Sequence, residues 1–167
     1  QSFAMYHTSC WKAHNRHPFV IYTNTGKNKD EVLIHEMGEH FDEIKRFKQS
    51  ARVRSLEFHE DTVLMGVGGG RVFSYRLNLF DGNINAVDRA ERYTLKSESN
   101  VQSVKANPQH KNFCVADSTH LYVYSYENTM NPMHRTRVWG STTNSGVTAM
   151  AVESAGNLLA LGGTHGT

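Results

Sequence analysis

"LMGVGGGRVFSY", Leu64–Tyr75, sets three consecutive glycines between two apolar runs. Such a stretch has two readings: a backbone that cradles a phosphate, or a tight turn. A dinucleotide-binding fingerprint needs Gly-x-Gly-x-x-Gly after a strand and at the opening of a helix. Counted from Gly66, the pattern offers Gly66 and Gly68 but Arg71 in the third place. The next segment, "RVFSYRL", reads as a strand and not as a helix. No Gly-Lys-Ser/Thr occurs either. The glycines are therefore expected to supply positive φ angles to a hairpin turn, which glycine adopts without steric cost.

Working outward, the strand–turn–strand unit recurs. "VRSLEF" from Val53, "VQSVKA" from Val101 and "VTAMAV" from Val147 each alternate apolar with other residues, the period of a strand with two distinct faces. Each leads into a short polar link ("HED", "NPQHKN", "ESAGN") and a mostly apolar run ("TVLMGV", "FCVA", "LLALGG"). A turn comes next ("GGG", "DSTH", "THGT"), and in two cases a third strand, "RVFSYRL" and "LYVYSY". The N-terminal third fits the same frame with "SFAMYH", "HPFVIYTN" and "EVLIHEM". Fourth strands are expected at "EIKRFK", "ERYTLK" and "RTRVWG". Starts near Phe3, Val53, Val101 and Val147 recur every ~45–50 residues, the range of four-stranded propeller blades. The fold class is therefore all-β, about three and a half four-stranded repeats, with units near 2–50, 51–99, 100–145 and an incomplete 146–167 in one domain.

Residues 31–48 admit a second reading. Leu33, Met37, Phe41, Ile44 and Phe47 are spaced by three and four, with acids early and bases late, as in a helix. Gly38 inside the segment opposes a helix by about 1 kcal/mol. Register with the other repeats favours strand–turn–strand.

This organisation resembles the WD40-repeat family of β-propellers. "GVTAMAVESAGNLLALGGTHGT" is similar to the first half of such a repeat. The Trp-Asp pair that closes the family's repeats aligns with His35-Glu36, Tyr75-Arg76 and Tyr124-Ser125, and the opening Gly-His is absent. One unit, "RVRSLEFHEDTVLMGVGGGRVFSYRL", is similar to a blade of substrate receptors of cullin-4 ubiquitin ligases. The resemblance implies a non-enzymatic interaction scaffold, an adaptor subunit of a multi-subunit complex. It also implies that blade-to-blade links and second-to-third-strand turns share one partner-binding rim. Carried onto this chain, that rim comprises Gln49, Arg52, Gly69, Arg71, Asn100, Asp117, His120, Asn144 and His165. Propellers close as rings of typically four to eight blades. Three and a half do not close, so the segment is expected to belong to a longer ring. Alone it is expected to aggregate through the apolar edge at Leu158–Leu161, or to be ordered only when further chain or a partner completes the ring.

Composition and motifs narrow the function classes. The 167 residues suit one domain, and 10% aromatics suffice for a core. A net charge of +2 does not by itself indicate nucleic acid. Basic residues gather at Lys45, Arg46, Lys48, Arg52 and Arg54, and again at Arg135 and Arg137. RNA contact through Arg52, Arg54, Lys45 and Lys48 is accordingly the alternative to a protein partner. No apolar run approaches the roughly 20 residues of a membrane span, and no membrane partner is expected. There is no signal pattern and no Asn-x-Ser/Thr, and Cys10 and Cys114 are too few for a disulfide framework. An intracellular location, cytoplasmic or nuclear, is the resulting expectation.

"HEMGEH", His35–His40, looks like a zinc-protease motif, but its histidines lie five apart with Glu39 where the second belongs. Five residues turn a helix by about 140° relative to the first, which separates them. The ten histidines are otherwise scattered. No Gly-x-Ser-x-Gly elbow occurs, and neither cysteine carries a protease signature. Cys114 lies in an apolar run, where a thiol acts as a small hydrophobe, whereas Cys10, followed by Trp11, is expected in a link. No catalytic residue, cofactor, metal or small-molecule substrate is expected.

Overall fold

A computed structural model of the chain describes residues 9–13, 18–23, 31–36, 40, 43–48, 52–59, 62–77, 87–95, 99–128, 130–138 and 146–163. Among them there is no helix, and the strands form three four-stranded antiparallel sheets and one two-stranded sheet. The first sheet holds β1 (Ser9–Ala13), β2 (Pro18–Thr23), β3 (Glu31–Glu36) and β4 (Glu43–Lys48). The second holds β5 (Val53–His59), β6 (Thr62–Val67), β7 (Arg71–Leu77) and β8 (Val87–Thr94). The third holds β9 (Ser103–Ala106), β10 (Asn112–Ala116), β11 (His120–Ser125) and β12 (His134–Arg137). β13 (Val147–Val152) and β14 (Leu159–Gly163) complete the series. Each sheet keeps chain order, and the first strands lie side by side, β1 against β5, β5 against β9 and β9 against β13. These are the blades of a partial WD40-like propeller.

The apolar runs of the second strands result from burial on both faces. On β6, Val63, Met65 and Val67 pack with Ile21, Val32 and Ile34 of the first sheet, while Leu64 points the other way, towards the third. β10 repeats this: Phe113 and Val115 pack back on the second sheet, Cys114 and Ala116 forward on Val147 and Met150. Burying each such large apolar side chain stabilises the fold by about 1.5–3 kcal/mol. Between the second and third sheets the core is aromatic. Tyr93 meets Phe113 edge-on at 4.8 Å and Tyr124 at 5.5 Å. Their hydroxyls donate across the gap, Tyr93 to the Tyr126 carbonyl and Tyr124 to the Thr94 carbonyl, each at 3.3 Å. Burial, with Tyr122 alongside, pushes the Tyr124 phenol up to about 12.

The inner strands are joined more sparingly. The Val104 N–H of β9 donates to Ser55 Oγ of β5 at 3.0 Å, and Lys105 Nζ pairs with Glu57 at 2.6 Å. Gly66 permits the approach: a Cβ there collides with Val101 Cγ1 and sits 3.0 Å from Val104 Cγ2.

Residues 31–48 follow the strand reading that the repeat register favours and not the helical spacing, since β3 and β4 pair antiparallel from Glu31↔Lys48 to His35↔Glu43. Other expectations need correction. The expected first strand "SFAMYH" lies outside the described residues; among these, the first strand is Ser9–Ala13, in register with β2 from Ser9↔Tyr22 to Ala13↔Pro18. Cys10 and Trp11 therefore belong to a strand and not to a link. β8 starts at Val87, four residues before "ERYTLK", and β12 covers the first three residues of "RTRVWG", whose last two lie outside the described residues.

Candidate functional site

The Gly68–Gly70 turn joins Val67 to Arg71 across the β6–β7 hairpin, with Gly69 at φ 70° and Gly70 at φ 63°. Those angles are left-handed, which explains Gly69 and Gly70; Gly68 is not in that region. The turn is not isolated. The Leu95 N–H donates to the Gly70 carbonyl at 2.6 Å, and the Gly69 N–H donates to Asn100 Oδ1 at 3.3 Å. The second-to-third-strand turn of one sheet is thus hydrogen-bonded to the link leading into the next. The third sheet repeats the arrangement, with the Val138 N–H donating to the Thr119 carbonyl at 2.9 Å. In both sheets the turn between the second and third strands is hydrogen-bonded to the chain that follows the fourth strand.

The predicted rim residues separate into three groups. Arg52, Gly69 and Asn100 are exposed, and Arg71 and His120 are half-buried. Arg71 Nε donates to the Gly68 carbonyl at 3.3 Å, which fixes the guanidinium beside the turn. Gln49, Asn144 and His165 lie outside the described residues.

Asp117 is a correction. It is 0% exposed and does not face a partner. Oδ1 accepts from the Thr119 N–H and the His120 N–H, each at 2.7 Å, and from Thr119 Oγ1 at 3.3 Å. Oδ2 accepts from the Tyr122 hydroxyl at 3.1 Å. The carboxylate is the internal frame of the turn. Its neighbour His120 is oriented in turn: Nε2 lies 3.4 Å from Arg135 Nη2 and Nδ1 lies 2.8 Å from Thr119 Oγ1. A guanidinium only donates, so Nε2 accepts and Nδ1 carries the proton towards Thr119. Thr119 and Arg135 are the parts of this rim that the rim prediction did not include.

Among the residues proposed to contact RNA, Lys48, Arg52 and Arg54 are exposed, and the side chain of Lys45 lies outside the described residues. Arg54 sits where the β5–β6 register shifts between Val53 and Ser55. Arg46 is engaged internally by Glu43 at 2.6 Å and Glu31 at 3.3 Å.

The metal-like "HEMGEH" is split by the fold. His35 Nε2 meets the Tyr22 hydroxyl at 2.9 Å near the end of β3, whereas His40 is exposed on the connection to β4. No group of three or more metal-ligating side chains occurs among the described residues. Nor is any helix among them long and apolar enough to cross a membrane. Cys114 is buried, and burial pushes its thiol up from the ordinary range. A thiolate is the reactive species. Iodoacetamide is therefore expected to leave Cys114 unmodified in the folded protein and to label it promptly in guanidinium, read by intact mass.

No family model matches the chain, and no curated protein matches it. Solved structures do. Hsv2 of Kluyveromyces lactis superposes with a TM-score of 0.68 at 16% identity, over 92% of this chain and 45% of that one. A chain of the mitotic checkpoint complex gives 0.70 at 14% identity, over 97% and 45%. The computationally designed Ika4 protein gives 0.67 at 12% identity, over 100% and 90%. The chain thus spans less than half of the Hsv2 and checkpoint-complex chains. At these identities the likeness shows the fold alone, a WD40-like propeller.

Proposed function

We propose that the chain is part of one propeller domain that serves as a non-enzymatic interaction scaffold within a larger complex, binding a protein partner on the rim. The observation that carries this reading is the hydrogen-bonded joining of turn and link, from Gly69 to Asn100 and from Thr119 to Val138. It pre-arranges loop side chains on rigid strands, the arrangement that suits recognition. Among the described residues no carboxylate pairs with Arg52 or Arg71, and Asp117 of the next turn is buried. The rim therefore suits an acidic protein surface.

The experiment is affinity capture from the intact protein carrying Arg52→Glu or Asn100→Ala. Gln109→Ala, on the loop between β9 and β10, serves as the control. Partner recovery is expected to fall at least about fivefold for the rim variants and to hold for the control. Melting of all three is expected to stay within about 0.5 kcal/mol of the parent. Recovery of a cullin-4 ligase adaptor among the partners assigns the scaffold to that class. Turnover by the pure protein, abolished by one Ser, Cys or His substitution, overturns the scaffold reading.

Exposed Lys48, Arg52 and Arg54 around the 49–51 link support RNA as the second reading. In that case retention falls steeply with salt, and each phosphate-contacting residue removed lowers the salt slope by about 1. A flat salt response retires it.

A further inference from the structure

We propose that the outer edge of the third sheet is a second docking surface, one that takes an acidic, extended segment of a protein partner as an added strand. β12 is the last strand of that sheet, and all four of its residues, His134, Arg135, Thr136 and Arg137, are exposed. Val138 is hydrogen-bonded to Thr119 of the β11 side, and β12 pairs with β11 in register from His120↔Arg137 to Val123↔His134. Alternate residues of an antiparallel strand turn their N–H and C=O to the partner. Thr136 therefore faces β11, and Arg135 and Arg137 direct their backbone groups outward, away from the sheet. An incoming strand finds N–H and C=O groups flanked by two guanidinium groups.

The charge on this edge lacks a counterpart. Arg46 on β4, the corresponding strand of the first sheet, pairs with Glu43 and Glu31, and Lys105 on β9 pairs with Glu57. Among the described residues no carboxylate pairs with His134, Arg135 or Arg137. Arg135 instead meets His120 and the face of Tyr122, at 5.7 Å from the ring centroid. Basic residues on an edge strand also serve to deter aggregation. That role does not explain what lies beside them. Met130 is 84% exposed and Met133 55% exposed, on the loop that leads into β12, whereas Met65 and Met150 are buried in the core. Met130 is held outward: its N–H and that of Asn131 donate to Asn128 Oδ1 at 3.1 and 3.4 Å. Met133 is tied to the sheet by its N–H to the Val123 carbonyl at 2.7 Å. Flexible thioethers next to cations without a carboxylate suit a segment carrying apolar and acidic side chains. The outward backbone groups favour a peptide, which hydrogen-bonds them, over a lipid surface, which does not.

The test is fluorescence anisotropy of the intact protein with the labelled peptide Glu-Val-Glu-Leu-Glu-Val-Glu-Leu. Three comparison probes accompany it: a version with Lys for every Glu, a version with Pro for every Val, and phosphatidylcholine vesicles containing phosphatidylserine. Saturable binding of the acidic peptide is expected, with none of the lysine version and at least about tenfold weaker binding of the proline version. R135E/R137E is expected to weaken binding at least about tenfold, and M130S/M133S about fivefold. Arg137→Pro removes an outward N–H without touching the pairing of Thr136, and it too is expected to weaken binding about fivefold with an unchanged melting curve. Absence of peptide binding overturns the proposal. So does binding indifferent to R135E/R137E, equal binding of the proline peptide, or binding of the vesicles in place of the peptide.

Discussion

Gly66→Val is expected to destabilise the protein by about 3 kcal/mol, lowering its melting temperature by about 6–12 °C. Gly66 lies within β6, and the Cβ that any other residue brings collides with Val101 and crowds Val104. Val101 and Val104 are themselves 0% exposed and packed in the core between the second and third sheets, so neither withdraws without opening that core. The alternative is that β9 backs away from β6. That movement lengthens the 3.0 Å bond from Val104 N–H to Ser55 Oγ and loosens the joint between two blades. Gly66→Ala is expected to do about half as much damage. Adding Val101→Ala to Gly66→Ala is expected to cost less than the two single changes summed, because the second removes the methyl groups the first strikes. Thermal melts of the four proteins check this. Additive losses would show that the glycine is needed for backbone conformation and not for the approach of β9.

The same glycine marks where sequence reading stops. Gly69 and Gly70 were legible because the chemistry that needs them is local: an apolar strand ends, the next begins, and a tight turn needs φ above zero. Gly66 has no local signal. Its reason is a valine 35 positions on, in the link that leads into β9. The strands split the same way. "TVLMGV" and "FCVA" announce themselves because both faces of β6 and β10 are covered, which makes every position apolar. "HRTR" carries no apolar pattern at all, since every residue of β12 is exposed, and only the repeat period placed a strand nearby. At the N-terminus "SCWKA" pairs with β2 although its pattern is too short and mixed to announce a strand. The helical spacing from Leu33 to Phe47 arose from two strands and the link between them: Val32 pairs with Phe47, and Leu33 with Arg46.

Exposure of turn and link residues was legible in the sequence; their side-chain contacts were not. Arg52, Gly69 and Asn100 are exposed where the repeat frame put them, because a turn or link residue next to a buried run has only solvent to face. Asp117 failed for a chemical reason that "DSTH" did hold. An aspartate at the head of a turn accepts from the N–H groups two and three residues on. Thr119 and His120 occupy those positions, which turns the carboxylate inward. The tyrosine hydroxyl that completes its shell comes from β11, beyond the reach of the turn itself.

Asp117→Ala is accordingly expected to cost about 3 kcal/mol, with a fall in melting temperature of about 6–12 °C. The substitution removes the acceptor of two backbone N–H groups and two hydroxyls at once. Tyr122 is 0% exposed, so its hydroxyl cannot turn to water for a replacement. Asp117→Asn keeps an oxygen for the Thr119 and His120 N–H groups and is expected to cost about half as much, and Tyr122→Phe about 1 kcal/mol. Because the aspartate is buried, these losses are expected to change little between low and high salt, unlike those of an exposed ion pair. The consequence for binding separates a frame from a contact. Asp117→Ala frees Thr119 and with it the orientation of His120 and Arg135, so capture of a rim partner is expected to weaken even well below the melting range. Arg52→Glu, in contrast, is expected to lose the partner at unchanged stability. An Asp117→Ala protein that melts like the parent and still loses its partner would return Asp117 to the contact surface, against its burial in the turn.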